Sequence, residues 1–383
     1  MSGQTQSDLK SWGDILNPVE MQRHQQVGLL GIVALFVLPL VIPAIYAIYL
    51  SSALFFATFV MSWDFVSGYT GEISFGHGLF FGVGGYTSGM LNLHMGIDPW
   101  IAAPIGAVAA GIAGLLIGFP SLRVQGPYFS LITLVTPIIL ISVFRFFPDL
   151  TGGELGLVSV GTVEKFSAIG PIPSPGFDPY SGYYLALFVF LLALVIFVAI
   201  TRSDAGMVLT AIRADEISVA ATGKNPAKFK LFAFVLSGLV GGLAGAMYGH
   251  SVGGFNVSEL LALIISLEVI VAAILGGIGT ITGAAIGGLF FYLLRVFMRN
   301  IEFTIPVVNV PVGEIYFLLF GIVTLGFLFY LPEGIVPRVV GEWRARSEPQ
   351  AGEAVADGGK SRGERIVEEW TDDLRELFGG ERR

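Results

Sequence analysis

The chain has 383 residues, of which 54% are hydrophobic and only 13% charged. That is about half the roughly 25% charge of a soluble domain, so the sequence reads as an all-α, polytopic membrane protein. A formal charge of −8 speaks against nucleic-acid binding, and the lack of any cysteine excludes disulfides, thiolate catalysis and Cys-zinc sites.

Residues 1–26 are polar and read as a tail on the cytoplasmic side. They lack the early basic region and short apolar run of a cleavable signal peptide. Leu9, Trp12, Ile15 and Leu16 fall on one side of a helix there, although a tail without structure reads equally well. Ten apolar runs follow, at 27–48, 49–67, 73–93, 99–119, 126–146, 182–201, 229–250, 258–276, 279–299 and 312–331. Each approaches the roughly 20 residues that cross a bilayer as a helix. The count is eight to ten, because the third and eighth runs are candidates for re-entrant or broken segments. Pro39 and Pro43 kink the first. The membrane-spanning body thus covers 27–335.

From the end of the second run into the third, Asp64 to Tyr86 reads DFVSGYTGEISFGHGLFFGVGGY. Its glycines interrupt the helical period at membrane depth, and Asp64, Glu72 and His77 are ionisable. Backbone irregularity and charge inside a bilayer mark pathways by default. Gly71, Ser74, His77 and Phe81 are therefore candidates to line a path. The plainer alternatives are a surface turn at Glu72 and simple packing between spans.

Residues 147–181 form the longest loop on the outer side. Thr151-Gly152-Gly153-Glu154 is a tight turn, and Gly153 and Glu154 are candidates to touch a partner outside.

Residues 202–230 are a polar interruption on the inner side. Arg202, Arg213, Lys224, Lys228 and Lys230 stand among Asp204, Asp215 and Glu216. Ser203 or Asp204 can cap a helix on which Met207, Leu209, Ala211, Ile212, Val219 and Ala220 recur, and Gly223 stops it. Such a loop obeys the positive-inside rule, and its amphipathic helix can also dock a cytoplasmic partner.

Gly238, Gly242, Gly245 and Gly249 make a small-residue ridge, and Gly279, Gly283 and Gly287 make a second. Both predict close helix packing, inside the chain or against a sister subunit. Glu268 lies mid-run and must face the bundle, neutral or paired. It is either a path residue or a hydrogen-bonded link between helices.

After Gly341 the composition turns polar, and 336–383 reads as an acidic cytoplasmic tail. Ile366, Trp370, Leu374, Leu377 and Phe378 resume helical spacing in it. Lys and Arg placed by alternation gather on the side of the 202–230 loop, while Lys165, with Arg145 and Arg299 near span ends, falls outside. Both termini are therefore expected inside.

No Walker A loop is present, since Ser218 and Asn225 break the pattern around Gly223-Lys224. Catalytic triads, HExxH and a dinucleotide loop are also missing, and the four histidines lack a metal spacing. No cofactor, metal or enzymatic activity is expected of this chain.

Five motifs in order carry a resemblance: GYTGEISFGHGLFFGVGGYTSGML (68–91), SLRVQGPYFSLITL (121–134), LTGGELGL (150–157), GMVLTAIRADEISVAATGKNPAKFKLFAFVLSGLVGGLAGAMYG (206–249) and ILGGIGTITGAAIGG (274–288). Together they resemble the membrane-spanning permease subunits of branched-chain amino-acid ABC importers, and more nearly the longer of the two paired permeases. The resemblance covers about residues 30–335. It implies a heterodimer with a sister permease in the cell membrane, two cytoplasmic ATPase subunits that bind the ATP, and an extracytoplasmic substrate-binding protein. It also implies that Arg213, Asp215, Glu216, Ala220 and Gly223 belong to the helix that couples to the ATPase. The family pattern is RENE-like where this chain has RADE, so the roles of the acids do not carry over one by one. Urea and short-amide importers share these motifs and are the alternative substrate class. Alternatives of other classes are an ion-coupled transporter, for which Asp64 and Glu268 are the only candidate carboxylates, and a non-transporting scaffold.

Overall fold

The computed structural model describes residues 23–121, 128–162, 179–300, 304–305, 310–311, 316–331 and 334–347. The expected helices at 9–16 and 366–378 lie outside these residues, as does most of the second half of the 147–181 loop. Two compact units are present, Met1–Arg338 and Val339–Arg383, and all that follows concerns the first.

Helix α1 (Arg23–Val37) ends in a 3-10 turn at Leu38–Leu40. Helix α2 (Ala44–Thr70) then runs unbroken for 27 residues. The first two apolar runs therefore divide at Leu38–Pro43, and not at 48/49. Pro39 and Pro43 separate two helices where a single kinked helix was expected. The reason is local: Pro43 takes an extended conformation at the N-cap of α2, a position where its missing N–H costs nothing. Inside α2, the hydroxyls of Ser51, Thr58 and Thr70 donate to the carbonyl four residues earlier, and Ser62 to the one three earlier. These bonds satisfy polar groups in an apolar setting. Gly71, at φ +80, ends the helix.

Residues 71–77 are irregular, and α3 (Gly78–Met95) follows. Next come α4 (Pro99–Ser121), α5 (Tyr128–Phe146), the short α6 (Pro148–Thr151), strand β1 (Leu157–Val158) and α7 (Pro179–Thr201). The polar loop holds α8 (Asp204–Ala214) and α9 (Glu216–Ala221). Helix α10 (Pro226–Val252) is again 27 residues long and again closed by a left-handed glycine, Gly253. Strand β2 (Gly254–Phe255), the single turn α11 (Val257–Leu260), α12 (Leu263–Gly276) and α13 (Ile281–Arg299) follow. The β3 (Thr304–Ile305) and β4 (Val310–Pro311) ribbon, α14 (Tyr316–Tyr330) and α15 (Ile335–Ser347) complete the series.

Each of the ten apolar runs thus contains helix. Among the described residues, six helices are long and apolar enough to cross a membrane: Ala44–Thr70, Pro99–Ser121, Tyr128–Phe146, Tyr180–Thr201, Pro226–Val252 and Ile281–Arg299. The third and eighth runs are the broken ones. In both, a 27-residue helix closes on a left-handed glycine, passes into non-helical backbone and re-enters a shorter helix.

The two breaks meet inside the bundle. The backbone N–H of Gly78 donates to Ser266 Oγ at 3.1 Å, and a Cβ at Gly82 would strike the Leu261 side chain. Around them, α2, α3, α4 and α10 pack at glycine distances. A Cβ at Gly84 would lie 2.2 Å from Gly242 O, and one at Gly106 would lie 2.3 Å from Gly84 O. Gly242, Gly245 and Gly249 of the first ridge press on Ala110, Phe81 and Phe255. In the second ridge, Gly283 and Gly287 press on the carbonyls of Gly276 and Ala272. Both ridges therefore serve packing within the chain, where lipid offers no hydrophobic drive and close van der Waals approach holds helices together.

Candidate functional site

Three clusters carry the polar groups. The first is the 202–230 loop and the ends of the spans beneath it. Asp215 interrupts the expected single helix. Its extended backbone ends α8, and its Oδ1 accepts from the N–H groups of Ile217 and Ser218 at 2.9 and 3.1 Å, starting α9. The Ser218 hydroxyl donates to Oδ2 at 2.6 Å. That hydroxyl, helped by the two N–H groups, holds the Asp215 carboxyl below its ordinary value. Ser203 occupies the N-cap position of α8 without a side-chain bond, and Gly223, at φ +83, closes the loop. Val208, Ile212 and Val219 turn inward as a small core with Phe229. Ile217 and Met207 turn outward, 82% and 62% exposed.

The loop is tied to the spans by charge. Lys230, on the first turns of α10, donates to Glu72 Oε1 at 2.6 Å and to Glu216 Oε2 at 2.7 Å. Arg213 donates to the carbonyl of Gly68, in the last turn of α2. Its guanidinium also lies against Gly279 in the α12–α13 turn. Asp64, fully buried, accepts from Gly279 N at 2.7 Å. Of the predicted coupling residues, Arg213 and Glu216 thus reach inward to the spans, while Ala220 and Gly223 are exposed. Glu72 is not a bare surface turn, because its carboxylate is half of a partly buried ion pair.

The second cluster lies at the bundle centre. His77 has no exposed surface. Its ring sits between Phe59 and Phe80, with centroids 5.1 Å from each. Its Nε2 faces Ser62 Oγ at 2.9 Å and Ser237 Oγ at 3.2 Å. Both hydroxyls already donate, Ser62 to Phe59 O and Ser237 to Ser62 O. Each has only a lone pair left for the ring, so Nε2 carries the proton. Ser74 Oγ and His77 Nδ1 are buried without a partner among the described residues. Phe81 is buried against Phe59 and Tyr248. Gly71 alone of the five path candidates keeps exposed surface. Glu268 pairs with Arg295, joining α12 to α13, and the Arg295 guanidinium covers the Tyr292 ring at 4.7 Å. This is the interhelical link offered above as the alternative to a path role. Arg295 is missing from the sequence reading, yet it has a signal: it is a cation inside the run after the one that holds Glu268.

The third cluster is at the opposite end. Strands β1 and β2 pair antiparallel, Leu157 with Phe255 and Val158 with Gly254. His250 Nδ1 faces Gly161 O at 2.7 Å, and Nε2 faces Ser88 Oγ at 2.7 Å. A carbonyl only accepts, so here Nδ1 carries a proton, the reverse of His77. Gly152 and Gly153, both at positive φ, build the predicted turn. Glu154 is exposed and lies 3.4 Å from Arg145, beside Leu155 at 81% exposure. Among the described residues no group of three or more His, Asp or Glu could hold a metal ion.

Residues 45–328 match the family described as branched-chain amino acid transport system / permease component. The chain is 26% identical over 305 residues to the high-affinity branched-chain amino acid transport system permease protein LivM of Escherichia coli (strain K12), covering 75% of this chain and 69% of that one. LivM of Salmonella typhimurium matches at the same identity and coverage. LivH of Escherichia coli (strain K12) is 29% identical over 251 residues, covering 61% of this chain and 78% of its own. No solved structure matches the chain. A match across nearly the whole helical body, with the broken third and eighth segments inside it, places this chain in the family of permease components of branched-chain amino acid transport systems.

Proposed function

We propose that this chain is one of two permease subunits of an ATP-driven importer for leucine, isoleucine and valine in the cell membrane. Relatives of both the LivM and the LivH kind match it, which supports pairing with a related sister permease. Two ATPase subunits dock on the 202–230 loop, and a binding protein delivers solute to the Gly152–Leu155 knob at the other end. Ten membrane segments with both termini inside agree with the gathering of Lys and Arg at the loop end. Ser74, His77 and Phe81, being buried, back the path from within this subunit and do not line it.

One observation carries the ATPase-docking reading: α9 is a capped helix with an apolar side chain, Ile217, standing 82% exposed on a loop bonded to the spans. An exposed apolar anchor on a rigid base is what a groove on a partner takes. The ion-coupled alternative loses Glu268, which is paired with Arg295, and keeps at most Asp64, whose Oδ1 accepts from Gly279 N–H while Oδ2 is without a partner among the described residues.

Ala220→Arg, placed on the exposed side of α9, tests the docking. The variant should insert normally, yet fail to co-purify with the ATPase or to drive uptake. Normal uptake at normal expression defeats the reading. Competition of labelled leucine uptake by urea or acetamide, in place of isoleucine and valine, would move the chain to the amide branch.

A further inference from the structure

Lys230 stands where three elements converge. It is the fifth residue of α10, and its side chain is 6% exposed. Its ammonium reaches two carboxylates: Glu216, the first residue of α9, and Glu72, the first residue after the glycine that ends α2. Glu72 opens the irregular segment that leads to Ser74, His77 and α3. No backbone hydrogen bond or apolar contact is needed to carry α9's position to this segment, because one ammonium already does so. A cation this sheltered is held at short distance by both partners, and removing either leaves a charge with reduced solvation. Long flexible contacts would absorb a small displacement, whereas a paired, sheltered ammonium passes it on. The segment it reaches is non-helical and ends at the meeting point with Ser266 and Leu261, so a shift there is felt by both broken spans.

We infer that Lys230, with Glu72, is a positioning pair that transmits displacement of the α9 docking helix to the Gly71–His77 segment, so that ATP hydrolysis without this pair no longer drives transport. The inference rests on the importer reading above. Ile217 is the residue that docks in the reading above; Lys230 and Glu72 are bonded to each other within this chain, and act after docking has occurred.

The test uses the full transporter in proteoliposomes, this chain with its sister permease, ATPase and binding protein, and reads ATP hydrolysed per leucine imported. Lys230→Gln and Glu72→Gln should assemble and hydrolyse ATP while that ratio rises about tenfold, within the usual range of coupling between sites. The threefold charge exchange, Lys230→Glu with Glu72→Lys and Glu216→Lys, keeps both pairs and should restore most of the coupling. A single neutral variant that leaves an unpaired sheltered charge can fail to accumulate. The double variant Lys230→Met/Glu72→Met removes both sheltered charges and leaves only the half-exposed Glu216, which water still solvates. It should assemble and still hydrolyse ATP futilely. If the single or the double neutral variant keeps the wild-type ratio, the pair has only a structural role and the inference is overturned. A wild-type chain that couples normally beside such variants refutes the link alone; a wild-type chain that binds no ATPase refutes the importer reading, and the link with it.

Discussion

At the scale of single residues, two buried histidines hold opposite tautomers because their partners leave no choice. His77 donates from Nε2 to two hydroxyls that are themselves spent on carbonyls. His250 donates from Nδ1 to the Gly161 carbonyl. His77→Ala should lower stability by about 2–4 kcal/mol, the sum of a cavity and lost hydrogen bonds. Thermal unfolding in detergent measures it, and an unchanged midpoint would show that the ring contributes no packing. Asp215 gives a pH dependence with a definite sign. Its carboxyl is held below the ordinary value, so its contribution is complete above the unfolded value of about 3.9 and is lost as pH falls through the folded one. The protection factors of the Ile217 and Ser218 amides, with the pH dependence of intrinsic exchange divided out, should be steady from about pH 5 to 8 and fall under stronger acid. Asp215→Ala should lower them already at neutral pH.

At the scale of elements, helix ends decide where the chain can bend. Gly71 and Gly253, each in the left-handed region, end two helices of equal length and release the backbone into the bundle. Hydroxyls, carbonyls and the facing break satisfy that backbone, which hydrocarbon could not. Glycine also sets how near α3 and α10 approach. Gly245→Val, whose side chain would strike the Phe81 backbone, should force these helices apart at a cost of about 1–3 kcal/mol, read as a lowered unfolding temperature. Gly321→Val on α14, where a Cβ meets nothing within 4 Å, is the matched control and should be nearly silent. Equal effects at both positions would deny the close α3–α10 contact its role.

At the scale of the whole molecule, polarity along the membrane normal is the organising feature. The end with the 202–230 loop carries two bonded groups, Lys230 with Glu72 and Glu216, and Arg213 on the Gly68 carbonyl beside Gly279, whose N–H donates to Asp64. The opposite end is held by a two-residue strand pair and by His250. Reporter fusions after Lys230 and after Arg346 should both report the cytoplasm, and one within residues 163–178 the outside. Opposite signals from the first two would require an odd number of crossings between them and a different topology.

The sequence by itself determined the class of the molecule and the order of its segments, because apolar length and the placement of Lys and Arg answer to the bilayer and not to neighbouring helices. It also marked the third and eighth runs as irregular, since glycine and ionisable residues at membrane depth disturb the helical period. The boundary between the first two helices is legible in Pro43, which starts a new helix even though the apolar run continues through it. Glu268 was expected to be paired, but its partner Arg295 lies 27 positions along the chain, a separation at which only packing decides what touches. The same holds for Lys230 and Glu72, 158 positions apart. Counted along the chain, Lys230 is one of five loop cations; folded, it is the one enclosed between two carboxylates. His77 reads as a polar group at depth in either view. Only the tertiary structure shows its ring walled by Phe59 and Phe80 and bonded to two serines from other helices, because burial is a property of all the elements that surround a residue, and of these only the helix of Phe80 is adjacent to it in sequence.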